Sequence, residues 1–378
     1  MALFSVKLEN YLYNDKKYLC FFVLVCVTFL TLIGLVVLAS ASLSFCKNES
    51  YFSKQLYWAL ISVPFFLFGL FLDLEFLRKF SGKLLIFSFI LLCCVLVPGV
   101  GRSVNGSRRW LACGGINLQI SEFVKFVVIM WLADYIDNNN ESIKTFITGF
   151  IVPLATIAMV SLVILLEPDY GTAILIGGVT FTLLFLFGSR IFYILGALVV
   201  AFFTISVLIF FNPVRMRRII AFLDVDSNKL GGAYQLWQGI LGFASGGLFG
   251  KGLGNGRQQL VYLPESHTDF ILPIVGEEFG SIVVVGLLLL YLCLFIACMI
   301  ASSRIKSIYL SVISSGIVLI IAYQVIINVG VVTGLLPTKG MVLPFISYGG
   351  SNLLVMFFMI GVLINCFVTD SFASNVDK

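Results

Sequence analysis

Apolar stretches at about 18–41, 55–73, 84–98, 119–136, 147–166, 171–188, 191–211, 269–300, 309–331 and 349–368 alternate with polar connections along the chain. At ~1.5 Å of rise per residue, stretches of this length cross a hydrocarbon layer of ~30 Å, so each reads as a spanning helix. The third and fourth are short and read as tilted. Helices are the form that closes its own backbone hydrogen bonds at that depth. The expected fold is all-α: a single polytopic membrane domain over residues 1–378 with about ten transmembrane helices, a bundle at 18–368, and one long extracytoplasmic loop, 212–268, between helices 7 and 8.

Composition points the same way. With 60% hydrophobic and 11% charged residues, the chain carries more apolar surface than a soluble domain of 378 residues hides. A net charge of +5 without a basic tail gives nucleic acid no footing. Lys16 and Lys17 precede a first apolar run too long for a signal peptide. An even number of spans puts both termini on one side, together with Arg78, Lys79, Lys83, Arg304 and Lys306, and the positive-inside rule makes that side cytoplasmic. Most cysteines fall in the apolar runs and read as small core residues. Cys46 and Cys113 fall in outer loops, where a disulfide between them is open but unsupported by spacing.

The cations that break the positive-inside pattern concentrate at Arg102, Arg108 and Arg109 and at Arg215, Arg217, Arg218, Lys229, Lys251 and Arg257, and anion binding is the function such a cluster suggests. Trp110 follows the first cluster, either as an interfacial belt anchor or as a face for a sugar or lipid. Glu122 and Lys125, spaced i, i+3 at the start of the fourth span, can pair as structural glue or line a polar cavity. Glu167, Pro168 and Asp169 make a tight turn that bears two acids. Within the long loop, Gly231–Gly256 is apolar and glycine-rich, which predicts an interfacial or re-entrant helix at about 233–243 and a loop where backbone approaches a ligand. The only histidine, His267, and Asp269 stand where this loop enters the eighth span; Asp269 is either a helix cap or a half-desolvated base. Glu277 and Glu278 lie within the same eighth span, Glu277 roughly 12 Å deeper than Asp269 at ~1.5 Å of rise per residue, and read as structural partners rather than catalysts. The stretch 334–352, with two prolines, Lys339 and Ser347, is an irregular connection that belongs against a polar cavity.

These residues resemble the SEDS family of polytopic membrane proteins (FtsW, RodA, SpoVE). The resemblance rests on Asn-Gly-Ser-Arg-Arg-Trp at 105–110, Gln119 with Ser121 and Glu122, Glu-Pro-Asp-Tyr-Gly-Thr-Ala at 167–173, the glycine-rich 238–254, Leu-Pro-Glu-Ser-His-Thr-Asp-Phe at 263–270, Gly-Glu-Glu at 276–278 and the stretch 336–350. They run in family order over nearly the whole chain, and Arg108, Arg109, Glu167 and Thr338 to Gly340 look like the division branch. The sequence departs at Ile120, where the family commonly has proline.

The resemblance implies a glycosyltransferase that polymerises lipid II, an undecaprenyl-pyrophosphate-linked disaccharide peptide, at the outer face of a bacterial cytoplasmic membrane during septal wall synthesis. It implies a class B penicillin-binding transpeptidase and other divisome membrane proteins as partners. Asp269 carries over as the catalytic residue and Trp110 as a cavity residue. Arg102, Arg108, Arg109, Arg215, Arg217, Arg218, Lys339, Glu122, Lys125, His267 and Ser347 are the candidate substrate-binding set, and a divalent cation, Mg2+ or Mn2+, is a candidate helper for the leaving diphosphate. No Cys/His pattern for a resident metal is present. Two other readings compete: a lipid II flippase, which needs a polar path to the cytoplasmic face, and a scaffold that recruits a transpeptidase, which leaves the buried acids idle.

Overall fold

The computed structural model describes residues 2–44, 51–104, 107–113, 116–258, 263 and 266–376. Cys46 and the side chain of Cys113 lie outside the described residues. The elements in chain order are α1 (Ala2–Ser44), α2 (Tyr51–Phe71), α3 (Leu74–Arg78), α4 (Ser81–Leu96), β1 (Gly101–Val104), β2 (Ser107–Cys113), β3 (Ile116–Gln119), α5 (Ile120–Asn138), α6 (Val152–Leu166), α7 (Tyr170–Leu186), α8 (Ile191–Phe210), α9 (Pro213–Leu223), α10 (Tyr234–Gly246), α11 (Ile271–Phe279), α12 (Ser281–Ser303), α13 (Ile308–Val332) and α14 (Gly350–Val376). Among the described residues, 6 helices are long and apolar enough to cross a membrane unaided, and the shorter α4, α7 and α8 are apolar throughout. With the charge-bearing α5 they account for the apolar stretches of the sequence.

The axis of the bundle is α13, buried along almost its whole length. Small residues on it let neighbours come close: a Cβ added at Gly316 would sit 2.6 Å from the Ile129 side chain of α5. α2 lies along α14 by the same device, with Gly69 against the Phe358 carbonyl and Gly361 against that of Phe66. Asn365 of α14 then donates to the carbonyls of Gly69 (3.2 Å) and Leu72 (2.7 Å) where α2 ends. At the end of the bundle that carries both termini, Lys16 pairs with Asp370 at 2.8 Å, and Arg78 pairs with Asp134 and Asp137. Both chain ends therefore lie on one side, as an even number of crossings requires.

The opposite end departs from an all-helical expectation in two places. The stretch after α4 folds into an antiparallel sheet in the order β1-β2-β3, in which Trp110 pairs with Arg102 on one side and Gln119 on the other. The eighth apolar run is not one helix: it breaks at Gly280, whose φ of 85° belongs to glycine. A Cβ there would stand 2.2 Å from the Leu248 carbonyl oxygen and 2.5 Å from the Gly250 nitrogen, so the glycine loop after α10 is wedged into the break.

α11 is thus a short helix buried inside the protein rather than the lipid-facing start of a span, and its two acids hold the glycine loop in place. Glu277 accepts from Lys251 Nζ (2.8 Å) and from the N–H groups of Arg257 and Gln258. Glu278 accepts from Ser40 Oγ (2.5 Å) and the Gly254 N–H (2.9 Å). The deep placement expected of these acids in a straight helix gives way to an anchoring role at its end. The interfacial helix expected near 233–243 is α10, while α9 is an additional amphipathic helix opening the long loop.

Gly280→Ala forces an L-residue into a glycine-only region, at a cost of roughly 1–3 kcal/mol before the clash with Leu248 is counted. The variant is expected to melt lower in detergent and to be cut by protease within 247–256 first; an unchanged melt and digest would contradict the wedge.

Candidate functional site

Where the sheet, the α11 approach and the α13–α14 connection meet, they enclose a vestibule of about 1220 Å³. Asp269 lines it, half-buried, in the turn before α11. The residue at the N-cap position of α11 is Phe270, whose side chain makes no cap hydrogen bond, and Asp269 stands one residue ahead of it. Gly340 lies directly against its carboxylate: a Cβ at 340 would be 2.8 Å from Asp269 Oδ2. The Asp269 backbone is held from behind, its carbonyl accepting from Asn328 Nδ2 at 2.8 Å, while the His267 carbonyl accepts from the Tyr348 N–H at 2.9 Å.

The other walls carry both signs of charge. Arg109 and Trp110 come from β2, Arg218 from α9, Lys54 and Trp58 from α2, Glu122 from α5, and Lys339 from the connection before α14. Asp169 lines the wall where α7 starts and caps that helix, accepting from the Thr172 hydroxyl at 2.9 Å and from Gln119 Nε2 at 3.4 Å. At the floor, Glu122 is held between Lys125 Nζ (2.6 Å) and Asn352 Nδ2 (2.7 Å). α5, α13 and α14 bury mostly apolar side chains, Val128, Ile129, Leu132, Ile313, Ile317, Met356 and Met359 among them, together with Ser314, Ser315 and Gln324 of α13.

The family described as "Cell cycle protein", FTSW_RODA_SPOVE, matches residues 20–371. The chain belongs to this FtsW/RodA/SpoVE family. It is 37% identical over 350 residues to a Coxiella burnetii protein named "Probable peptidoglycan glycosyltransferase FtsW", covering 90% of this chain and 94% of that one. A Trichlorobacter lovleyi protein of the same name is 38% identical over 348 residues, covering 90% and 91%. Among solved structures, the rod shape determining protein RodA of Thermus thermophilus superposes with a TM-score of 0.69 at 25% identity, covering 92% of this chain and 95% of that one. A chain from "Structural coordination of polymerization and crosslinking by a peptidoglycan synthase complex" gives 0.75 at 24% identity, covering 92% and 96%, and shares the fold. The chain is a multi-pass membrane protein of this family.

In this FtsW/RodA/SpoVE member, Asp269, Trp110, Arg109, Arg218, Glu122 and Lys339 are brought to the one vestibule. Other expected residues are placed elsewhere. Arg102 donates to Asn117 Oδ1 (3.3 Å) and Arg108 to the Leu96 carbonyl (3.5 Å); both are exposed and neither lines the vestibule, because these acceptors of the protein engage their guanidinium groups. Arg217 is exposed on α9 and does not line the cavity, and the side chain of Arg215 lies outside the described residues. Lys125 is 1% exposed and reaches the vestibule only through Glu122. His267 stacks on Tyr51, ring centroids 4.0 Å apart, and Ser347 Oγ accepts from the Leu343 N–H at 2.8 Å inside the last connection. Both shape the wall rather than face the cavity.

Arg109 has a double task. It lines the vestibule, yet its Nε donates to the Glu167 carbonyl (3.1 Å) and its Nη2 to that of Pro168 (2.5 Å), clamping the acidic turn. Lys54 and Trp58 were not singled out from sequence; their i, i+4 spacing at the start of the second apolar run, with Tyr57 between, is the signal that places them on one face.

Two groups near the vestibule titrate unusually. Burial pushes the Lys339 ammonium down to about 8, against the pull of Asp169. Burial, together with the charge of Asp169, pushes the Glu167 carboxyl up to about 8, Arg109 offsetting part of it, and both carboxyl oxygens are buried without a hydrogen-bond partner. An acid whose folded pKa stands above its ordinary 4.5 favours the fold fully below that value and loses the contribution as pH rises through about 8. Glu167→Gln, neutral at every pH, is therefore expected to melt above the wild type at about pH 9 and level with it at about pH 4. A wild-type advantage at alkaline pH in thermal melts would show that the carboxylate is paired when charged.

Proposed function

We propose that this protein is a peptidoglycan glycosyltransferase that polymerises lipid II into glycan strands for septal wall synthesis. The observation that carries the proposal is the juxtaposition, in one vestibule, of the Asp269 carboxylate with the cations Lys54, Arg109, Arg218 and Lys339. Glycosyl transfer from a lipid diphosphate needs both. The acceptor's GlcNAc 4-hydroxyl is a poor nucleophile while protonated; Asp269 takes that proton as the oxygen attacks the anomeric carbon of the donor. The anomeric C–O bond to the diphosphate breaks, and the undecaprenyl diphosphate leaves with the electron pair, its growing charge met by the lining cations. One displacement inverts the anomeric centre, so a second catalytic carboxylate at glycosidase spacing is not required.

Trp110 and Trp58 offer flat faces for sugar rings or the lipid chain. Among the described residues, no group of three His, Cys, Asp or Glu side chains comes together to hold a metal ion. The vestibule acids Glu122 and Asp169 are committed to Lys125, Asn352, Thr172 and Gln119. The described residues thus offer no cage of three such ligands for a resident Mg2+ or Mn2+.

The same reading sets the vestibule on the outer side of the bacterial cytoplasmic membrane with both termini inside, and assigns a class B penicillin-binding transpeptidase and other divisome membrane proteins as partners. The short connections on the side of the termini, with Arg78, Lys79, Lys83, Lys144, Arg190, Arg304 and Lys306, support the orientation, because the rule is counted over short loops.

The test is polymerisation of lipid II by the purified protein with its transpeptidase. Asp269→Asn is expected to lower polymer formation by at least ~100-fold while leaving the protein folded; undiminished polymer would remove Asp269 as the base, and transbilayer movement of lipid II without polymer would favour the flippase. A second measurement reads Lys339. As pH rises through about 8 its charge is lost, so the KM for lipid II is expected to climb on the alkaline side. Lys339→Arg, charged throughout, is expected to flatten that rise, and an equal alkaline rise in both proteins would place the diphosphate elsewhere.

A further inference from the structure

Asn328 is one of two amide side chains on α13, and it is 1% exposed. Its Nδ2 donates to two carbonyls, that of Asp269 at 2.8 Å and that of Met341 at 2.6 Å. A primary amide has two N–H groups, and here each is given to a different connection: the turn that delivers Asp269 to the vestibule and the irregular stretch that carries Lys339 and Gly340. Two acceptors on one side of the amide also fix which of its ends faces them. Asn328 is not itself part of the vestibule lining, so it touches no substrate.

We propose that Asn328 is the positioning residue of Asp269, joining the turn at 269 to the connection at 341 so that the carboxylate is held against Gly340 and on the Lys339 side of the vestibule. The proposal rests on the reading of Asp269 as the base. Fastening the main chain at residue 269 itself leaves its side chain only its own torsions to vary. Fastening Met341 with the same nitrogen places the adjacent Gly340, which has no side chain, where the Asp269 carboxylate fits. A general base works within hydrogen-bond reach of its proton, and a displacement of about 1 Å costs on the order of 100-fold in rate.

The geometry also separates positioning from holding the fold together. The same turn is tied to the last connection a second time, through the Tyr348 N–H and the His267 carbonyl at 2.9 Å. Removing the Asn328 donors therefore leaves the turn docked but free to shift at residue 269. Leucine has no donor to offer, aspartate when ionised has none and turns oxygen toward oxygen, and serine keeps a single donor on a shorter arm.

The experiment uses the full-length protein with its transpeptidase and lipid II, comparing wild type, Asp269→Asn, Asn328→Asp and Asn328→Ser by steady-state polymerisation and thermal melt. Asn328→Asp is expected to lower kcat on the order of 100-fold. KM for lipid II is expected to stay within about twofold, because binding groups elsewhere are untouched. Asn328→Ser is expected to recover part of that loss, and it carries the test alone should Asn328→Asp not fold. Wild-type kcat in both variants, or a loss confined to KM, overturns the proposal while an inactive Asp269→Asn leaves the base in place. Full activity in Asp269→Asn instead overturns the reading of the base on which the proposal stands.

Discussion

Irregular backbone among apolar helices survives only where protein supplies the hydrogen bonds that lipid does not, and the turn bearing Asp269 is the place where this constraint bears hardest. Its carbonyls at 267 and 269 are met by Tyr348 and Asn328, both from the unit formed by α13 and the connection that follows it. A carboxylate at the base of a wet cavity is thus carried by a main chain that is closed off from behind. The vestibule exists because α13, the most buried of the six long spans, ends in a connection that folds back over the turn instead of leading straight into α14.

The same logic governs the second irregular segment. The glycine loop after α10 would be an open run of N–H groups, were it not for Glu277 and Glu278, which accept from Lys251, Gly254, Arg257 and Gln258. Those acids end α11, so α11 is stapled at both ends: at 269 to the vestibule connection, at 277 and 278 to the loop wedged into Gly280. A short helix held so firmly is a stable arm for the residue just ahead of it.

Hydropathy alone placed the helices, since a run of apolar residues of the right length has one stable form in a bilayer. It could not place the break at Gly280, because Gly276 to Gly280 read as one more turn of an apolar run, and the glycine matters only for what presses against it, the backbone of Leu248 and Gly250. The sheet was missed for a related reason: β2 carries Arg108, Arg109 and Trp110 in place of alternating apolar residues, and its partners are short. The motifs gathered around Asp269 were legible as chemistry, whereas Asn328 was hidden in the apolar run of α13. α13 carries two buried amides, Gln324 and Asn328, and a polar side chain inside a spanning helix is a signal in its own right.

The cations on the outer side illustrate how far charge alone carries a functional reading. A cluster of arginines suggests anion binding, but three of them turn out to have work on the protein itself: Arg102 on Asn117, Arg108 on the Leu96 carbonyl and Arg109 on the Glu167 turn. What remains for a diphosphate is a smaller set, Lys54, Arg218, Lys339 and the remaining edge of Arg109, spread over four separate elements. Its members differ in kind. Arg218 is exposed and always charged, suited to first contact, while Lys339 is partly buried and close to its titration point, so that an arriving diphosphate would itself favour the charged form and strengthen the contact as water leaves. Attraction that grows with occupancy, on the wall that also carries Gly340 and Asp269, draws the leaving group and the base together within one enclosed volume.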